Sequence, residues 1–447
     1  MGKDLATEFA EFALQTNYED IPKEVVGYSK QLTLKTVSGM LAGSAKPSGQ
    51  KLARIIKEKK LSEQVGIMGT GFRTSLWESV FLQTYYAHAS ELEDDRFAPG
   101  MGVTWDITVI PLLFPLAEEL NLSGKAFLEA LVTGLEVTVR SGMFSARHLG
   151  LGEIPGAIGP AVAASRALGL NVKETVGAMG LAMSNAAISV TNYSTDAHYF
   201  ESALISLQAI MAAEMAQRGL AGNADLAAFL TNFLGKDRVV PEKMVEDLGK
   251  RWDFCEIWIK KYPACFLQHR QIDSVIEMRK EHNLSYDDVK AVEVHTNLAD
   301  KVLDRPEPKD EGDLQFSYQH TLSAALLDGD VTLDHISEKA VHDPRLKEAR
   351  PKVKIVYHPE LTIEFNQAPS KVIIKMKDGR EFSRERQFPI GDPKHDPLTP
   401  EQVQGLFAKF SKGILKEKDI GKVADMIWHM EELKSLKELI NILVQGS

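Results

Sequence analysis

From Asp4 to about residue 260, apolar positions recur three and four residues apart, the period of a helix that buries one face. Asp4–Gln15, Lys23–Gly43 and Ser75–Ser90 read as amphipathic helices on this pattern. Ser123 stands where an N-cap would open a helix over Gly124–Arg140, and Asn171 does the same for Val172–Met183. Between Pro155 and Ala216 the predicted helices are rich in Ala, Gly and Ser and apolar nearly all round. Such helices belong in the middle of a bundle, where small side chains allow close approach.

The pattern changes after Pro263. Val289–Thr296, Val353–Tyr357 and Leu361–Phe365 alternate with the two-residue period of a strand. Lys371–Phe388 predicts a hairpin turning at Asp378 and Gly379. Helical patterns at Gln268–His282 and Tyr318–Leu327 lie among these strands, and after a turn-rich connector, Pro389–Pro400, the chain returns to helix over Glu401–Val444. The expected fold is mainly α with a second α+β domain. A discontinuous all-helical domain takes residues 1–264, completed by 397–447, and a smaller α+β lid domain takes 265–396.

Composition narrows the class. With 447 residues, 44% hydrophobic and 26% charged, the chain is neither disordered nor fibrous, and it can fill one large core and one smaller one. Its 62 acidic groups outnumber 52 basic ones, a surplus shared evenly between the two expected domains, which argues against a nucleic-acid partner. Two cysteines, Cys255 and Cys265, are too few for a disulfide framework. The start has no apolar signal core, and the longest apolar stretch, Val103–Leu116, carries Asp106 and Pro111 and is too short to span a bilayer. A cytoplasmic protein without a membrane partner is expected. The phosphate-cradling loops, zinc motifs and nucleophile elbow are absent from the sequence, so neither cofactor nor metal is expected.

The segment AHASELEDDRFAPGMGVTWD sets Glu91, Glu93, Asp94, Asp95 and Asp106 against a single Arg96, with His88 just ahead. Crowded carboxylates raise one another's pKa, which suits one of them to exchange a proton near neutrality. Most acidic runs are solvated helix ends. This one follows a histidine and leads into an apolar stretch rather than a linker.

The run AHASELEDD resembles the signature region of the MmgE/PrpD family, and four further stretches agree with it in order. These are GAIGPAVAASRALGLNVKETVGAMGLA, KKYPACFLQH, FSYQHTLSAALLDG and PIGDPKHDPLTPEQVQGLFAKF. The resemblance spans nearly the whole chain. It implies a helical domain closed by the C-terminal helices, an α+β lid, an active site between them and a cofactor-free homodimer. The implied chemistry removes a proton next to a carboxylate, followed by loss of water or CO₂, or by reprotonation.

Carried over by position, His88, Glu91 and Asp94 fall on the family's His, Asp and Asp, and Asp95 falls where Thr is usual. Lys260 (or Lys261) and His269 match the basic element at the domain junction, with Cys265 beside them. Several cations of the family are replaced: Thr104 stands where a His is expected, Glu153 near a second His, His198 for a Lys and Glu201 for a His, while His320 stands where a Tyr is common. The resemblance then implies His88 or His198 as base or proton shuttle, Glu91 or Asp95 as its partner, Lys260 holding the anion and His320 as a second acid. Asp94, Thr104, Glu153, Glu201, Cys265 and His269 would contact substrate. Lost cations and added acids make the pocket less hospitable to a tricarboxylate, so the expected substrate has fewer carboxylates or carries a cationic or neutral polar group.

The expected function is therefore a cofactor-independent lyase, dehydratase or decarboxylase, acting on a small organic acid. A two-base racemase or epimerase and a non-catalytic binding protein on the same scaffold are the alternatives. A divalent metal on His88, Glu91, Asp94 and His198 is a weaker idea, because mixed nitrogen and oxygen ligands can hold one but the spacing gives no specific support.

Overall fold

In the computed structural model, which describes residues 4–98, 101–104, 106–143, 154–185, 192–365 and 367–446, Asp4 opens the first helix, Leu5–Gln15. Its side chain accepts from Thr7 N at 2.9 Å, and the helix buries Phe9, Ala10 and Ala13 as the apolar period requires. Asn171 caps Val172–Ala182 through a reciprocal box with Glu174. The chain divides into two units, residues 1–99, 103–257 and 399–447 in one and 100–102 and 258–398 in the other.

The first unit is helical. Lys23–Ala45, Leu76–Ala89, Ile110–Leu120, Gly124–Met143, Ile158–Ala167 and Asp196–Gln217 form its body. Small residues set the helix spacing. A Cβ on Gly43 would stand 1.9 Å from the carbonyl oxygen of Tyr86, so only glycine lets Lys23–Ala45 lie this close to Leu76–Ala89. The closing segment forms three helices, Pro400–Ser411, Glu417–Trp428 and Lys437–Gln445. They return to the first unit through backbone bonds from Gly69 N to Leu443 O and from Gly124 N to Leu433 O, both 2.8 Å.

One charged cluster inside this unit serves structure. Arg140 and Glu136 are both fully buried, and Arg140 donates to the carbonyls of Met244, Glu246 and Arg251. Glu136 accepts from the amides of Asp253 and Phe254 at 3.0 Å each. The pair thus takes up backbone groups that a loop would otherwise bury without partners.

The second unit carries a mixed four-stranded sheet in the order 353–357, 289–296, 370–376, 381–386. The first pair is parallel and the other two antiparallel. The hairpin turns at Gly379, whose φ of +89° a side chain rarely tolerates. Two expectations fail here. Residues 361–365 form turns rather than a strand: Arg270 Nη1 donates to the carbonyls of Phe365 and Ala368 at 2.9 and 2.7 Å, and Asn297 Nδ2 takes that of Thr362. Side chains and local turn bonds, such as Leu361 N to His358 O, satisfy that backbone in place of a ladder. The expected cut after residue 264 also falls inside this unit, which begins at Trp258. Ile259 N donates to Gly391 O at 3.1 Å, and Lys261 and Tyr262 both bind Asp273, so residues 258–264 are tied to the α+β unit.

Candidate functional site

The sequence candidates fall into two groups, one in each unit. In the helical unit, Leu76–Ala89 ends at a tight turn in which Glu91 N donates to His88 O at 3.0 Å. Glu91 itself adopts φ +53°, a left-handed conformation that sets its Cβ against the following carbonyl and costs about 1–2 kcal/mol. Held this way, Glu91 is buried with its Oε1 3.8 Å from Nε2 of His198, the third residue of Asp196–Gln217. The His88 and His198 rings lie side by side, centroids 4.1 Å apart, and His88 Nδ1 is hydrogen-bonded to Ser202 Oγ one turn further along the same helix. One ligand-type atom each from His88, Glu91 and His198 lies within 4.8 Å of the other two.

Aromatic rings flank the trio. Tyr193 stands 4.7 Å from His198 and Tyr199 5.5 Å from His88, centroid to centroid. Burial, with Glu91 adding to it, holds the Tyr199 phenol well above its ordinary pKa, so it stays protonated. Glu201 is joined to Asn192 Nδ2 at 2.5 Å.

Next along the chain from Glu91, Glu93, Asp94 and Asp95 are all buried. Lys35, from inside Lys23–Ala45, donates to Leu92 O at 2.5 Å and pairs with Asp94 Oδ1 at 3.5 Å. Asp94 N donates to Asp106 Oδ1 at 3.0 Å, and Thr36 Oγ1 donates to Asp106 Oδ2 at 2.5 Å. Burial first, then the neighbouring Asp94 charge, push the Asp106 carboxyl up to about 8, so it is a proton-bearing group at neutral pH. Of the remaining expectations in this unit, Thr104 ends the strand Met101–Thr104 and its side chain lies outside the described ones, as does the whole of Glu153.

In the α+β unit, Lys260 is fully buried, whereas Lys261 is committed to Asp273 at 2.8 Å. Cys265 is buried, its amide donating to Gln315 O. His269 opens the helix His269–Glu281, its Nε2 3.2 Å from Ala264 O and its ring edge-on to Trp258.

His320 is placed against the expectation of an acid. Its Nε2 is 2.6 Å from His335 O and therefore carries the hydrogen, while Nδ1 accepts from Arg350 Nε at 3.3 Å. Burial drives its pKa down to about 3. A neutral imidazole fixed at both nitrogens positions backbone and gives up no proton near neutrality.

Comparison with known proteins matches residues 7–236 to the MmgE/PrpD N-terminal domain and residues 262–431 to the MmgE/PrpD C-terminal domain. The chain belongs to the MmgE/PrpD family. Its relatives include human cis-aconitate decarboxylase, 26% identical over 372 residues that cover 78% of this chain and 76% of that protein. Mouse cis-aconitate decarboxylase is 22% identical, covering 99% and 94%. A cis-aconitate decarboxylase-like protein, oryM, of Aspergillus oryzae is 22% identical, covering 98% and 97%.

Within this MmgE/PrpD chain, sequence reasoning overlooked Lys35 and Ser202. Lys35 had a legible signal, since it is the one charge between Gln31 and Ala45. A lone lysine in so apolar a helix must find a buried partner or lose its proton. Ser202 had none, because only the packing of two helices makes it the neighbour of His88. Among the described residues, no helix is long and apolar enough to cross a membrane.

Proposed function

We propose that this member of the family is a lyase that moves the proton on the carbon next to a carboxylate of a small organic acid as the bond to CO₂ or to hydroxide breaks. The observation that carries this reading is the buried pair of His198 Nε2 and Glu91 Oε1, 3.8 Å apart and set by a left-handed backbone at Glu91. An imidazole beside a carboxylate accepts a proton and keeps the resulting imidazolium stabilised, the requirement of a general base near neutrality. Backbone strain held at such a position is characteristic of functional sites. Relatives named as decarboxylases support the reaction class.

The buried acids around the pair favour a substrate with fewer carboxylates than cis-aconitate, or one bearing a cationic or neutral polar group. His88 and His198 stand side by side, which does not place two bases on opposite faces of one carbon, so the epimerase reading ranks second. In the same reading the enzyme works as a cofactor-independent homodimer. The test is a panel of small mono- and dicarboxylic acids and their amino analogues, followed by CO₂ release, alkene absorbance and uptake of solvent deuterium. Net conversion that disappears in Glu91→Gln supports the lyase. Deuterium uptake without net conversion, or binding without turnover, overturns it.

A further inference from the structure

We propose that His88, Glu91 and His198 form a binding site for a divalent first-row transition-metal ion of the Zn²⁺ class. The claim rests on the same trio as the proposed function, but its test requires no substrate. Two imidazoles and one carboxylate are a donor set suited to Zn²⁺ and its neighbours. Their ligand atoms already lie within 4.8 Å of one another. A tetrahedral Zn²⁺ with arms of about 2.0–2.1 Å holds its ligands about 3.3 Å apart, so closure asks for side-chain shifts of about an ångström.

Three further features suit an ion here. Ser202 Oγ holds His88 by Nδ1 and so fixes which ring nitrogen, Nε2, would take the metal, as an outer-shell partner does in metal sites. The left-handed backbone at Glu91 turns its carboxylate toward His198. The next carboxylates along the chain, Glu93, Asp94 and Asp95, are all buried, and a cluster of that sign attracts a dication.

The experiment is titration calorimetry of the full chain, stripped with EDTA, against ZnCl₂, with Co²⁺ as a spectroscopic substitute. One Zn²⁺ per chain is expected, and Co²⁺ should give the strong visible bands of a low-coordinate ion. Glu91→Gln and His198→Asn should each weaken Zn²⁺ at least about 100-fold, beyond the range of an outer-shell loss. Ser202→Ala removes only the group that orients His88 and should weaken it about tenfold, providing a milder variant if the others fold poorly by circular dichroism. Absence of binding, or wild-type affinity in folded variants of all three positions, overturns the inference. A chain that converts organic acids yet binds no Zn²⁺ removes the metal site and leaves the lyase standing. One that binds Zn²⁺ at the trio and converts nothing does the reverse.

Discussion

Lys35 Nζ lies 3.5 Å from Asp94 Oδ1, and neither side chain is exposed to solvent. Lys35 comes from the middle of Lys23–Ala45, and Asp94 lies just beyond the turn that carries Glu91, so the pair ties the site to the helical core. Removing one partner of a buried ion pair leaves the other charge uncompensated, at a cost of about 3–5 kcal/mol. Lys35→Met should therefore lower the unfolding free energy by about that amount in urea titration. A loss under about 1 kcal/mol, typical of an exposed pair, would show that Asp94 is already neutral.

The Asp106 carboxyl titrates at about 8 in the folded chain against an ordinary 3.8. Between those values the folded state binds more protons than the unfolded one, so this group's contribution is fully present below the ordinary value and is lost as pH rises through about 8. Asp94, Lys35 and Thr36 are the groups that face it. Asp106→Asn keeps the shape and removes the titration. The melting temperature of the variant should fall less than that of the wild type as pH is raised from 5 to about 8. Parallel curves would assign the pH dependence elsewhere.

Local chemistry was legible where one stretch of chain decides its own structure. The periodic apolar face of Leu5–Gln15, the Asn171 cap and the turn at Gly379 need no distant partner. The segment 361–365 alternates like a strand, and what draws its carbonyls from a ladder is Arg270 on Phe365 and Asn297 on Thr362, both from other elements. The candidate site shows the same division. The acidic run at 91–95 stands out in the sequence, yet its burial, the Lys35 counter-charge and the approach of His198 all depend on helices distant along the chain. His320 could be read only as a histidine in a motif, because Arg350 and the His335 carbonyl, which decide its protonation, lie in other segments.

His320 should behave as a neutral structural group. Its pKa is held at about 3, so the unfolded chain binds a proton there that the folded chain refuses, and this contribution to stability is lost as pH falls from 6.5 toward about 3. Its ring resonances in nuclear magnetic resonance should not titrate across the neutral range. His320→Ala leaves Arg350 and the His335 carbonyl short of a partner and should cost about 1–3 kcal/mol, with the pH profile of turnover unchanged. A shifted pH profile would return His320 to the proton-transfer set.

Glu91 offers a test in which stability and activity move in opposite directions. Its φ of +53° is strained for most residues with a Cβ and sterically open to glycine. Glu91→Gly relieves that strain and removes a buried carboxylate from beside Glu93, Asp94 and Asp95. The variant should gain about 1 kcal/mol in urea unfolding. It also loses the partner of His198, and general-base assistance is worth about a hundredfold or more, so turnover of any acid the wild type converts should fall by at least that factor. Glu91→Asp keeps the charge and suits the left-handed backbone better than Glu, but retracts the carboxylate by one methylene, and should lose activity with a smaller gain in stability than glycine gives. If Glu91→Gly were instead destabilised and fully active, the residue would be a structural support of the turn, and the proton-transfer role would pass to another buried group.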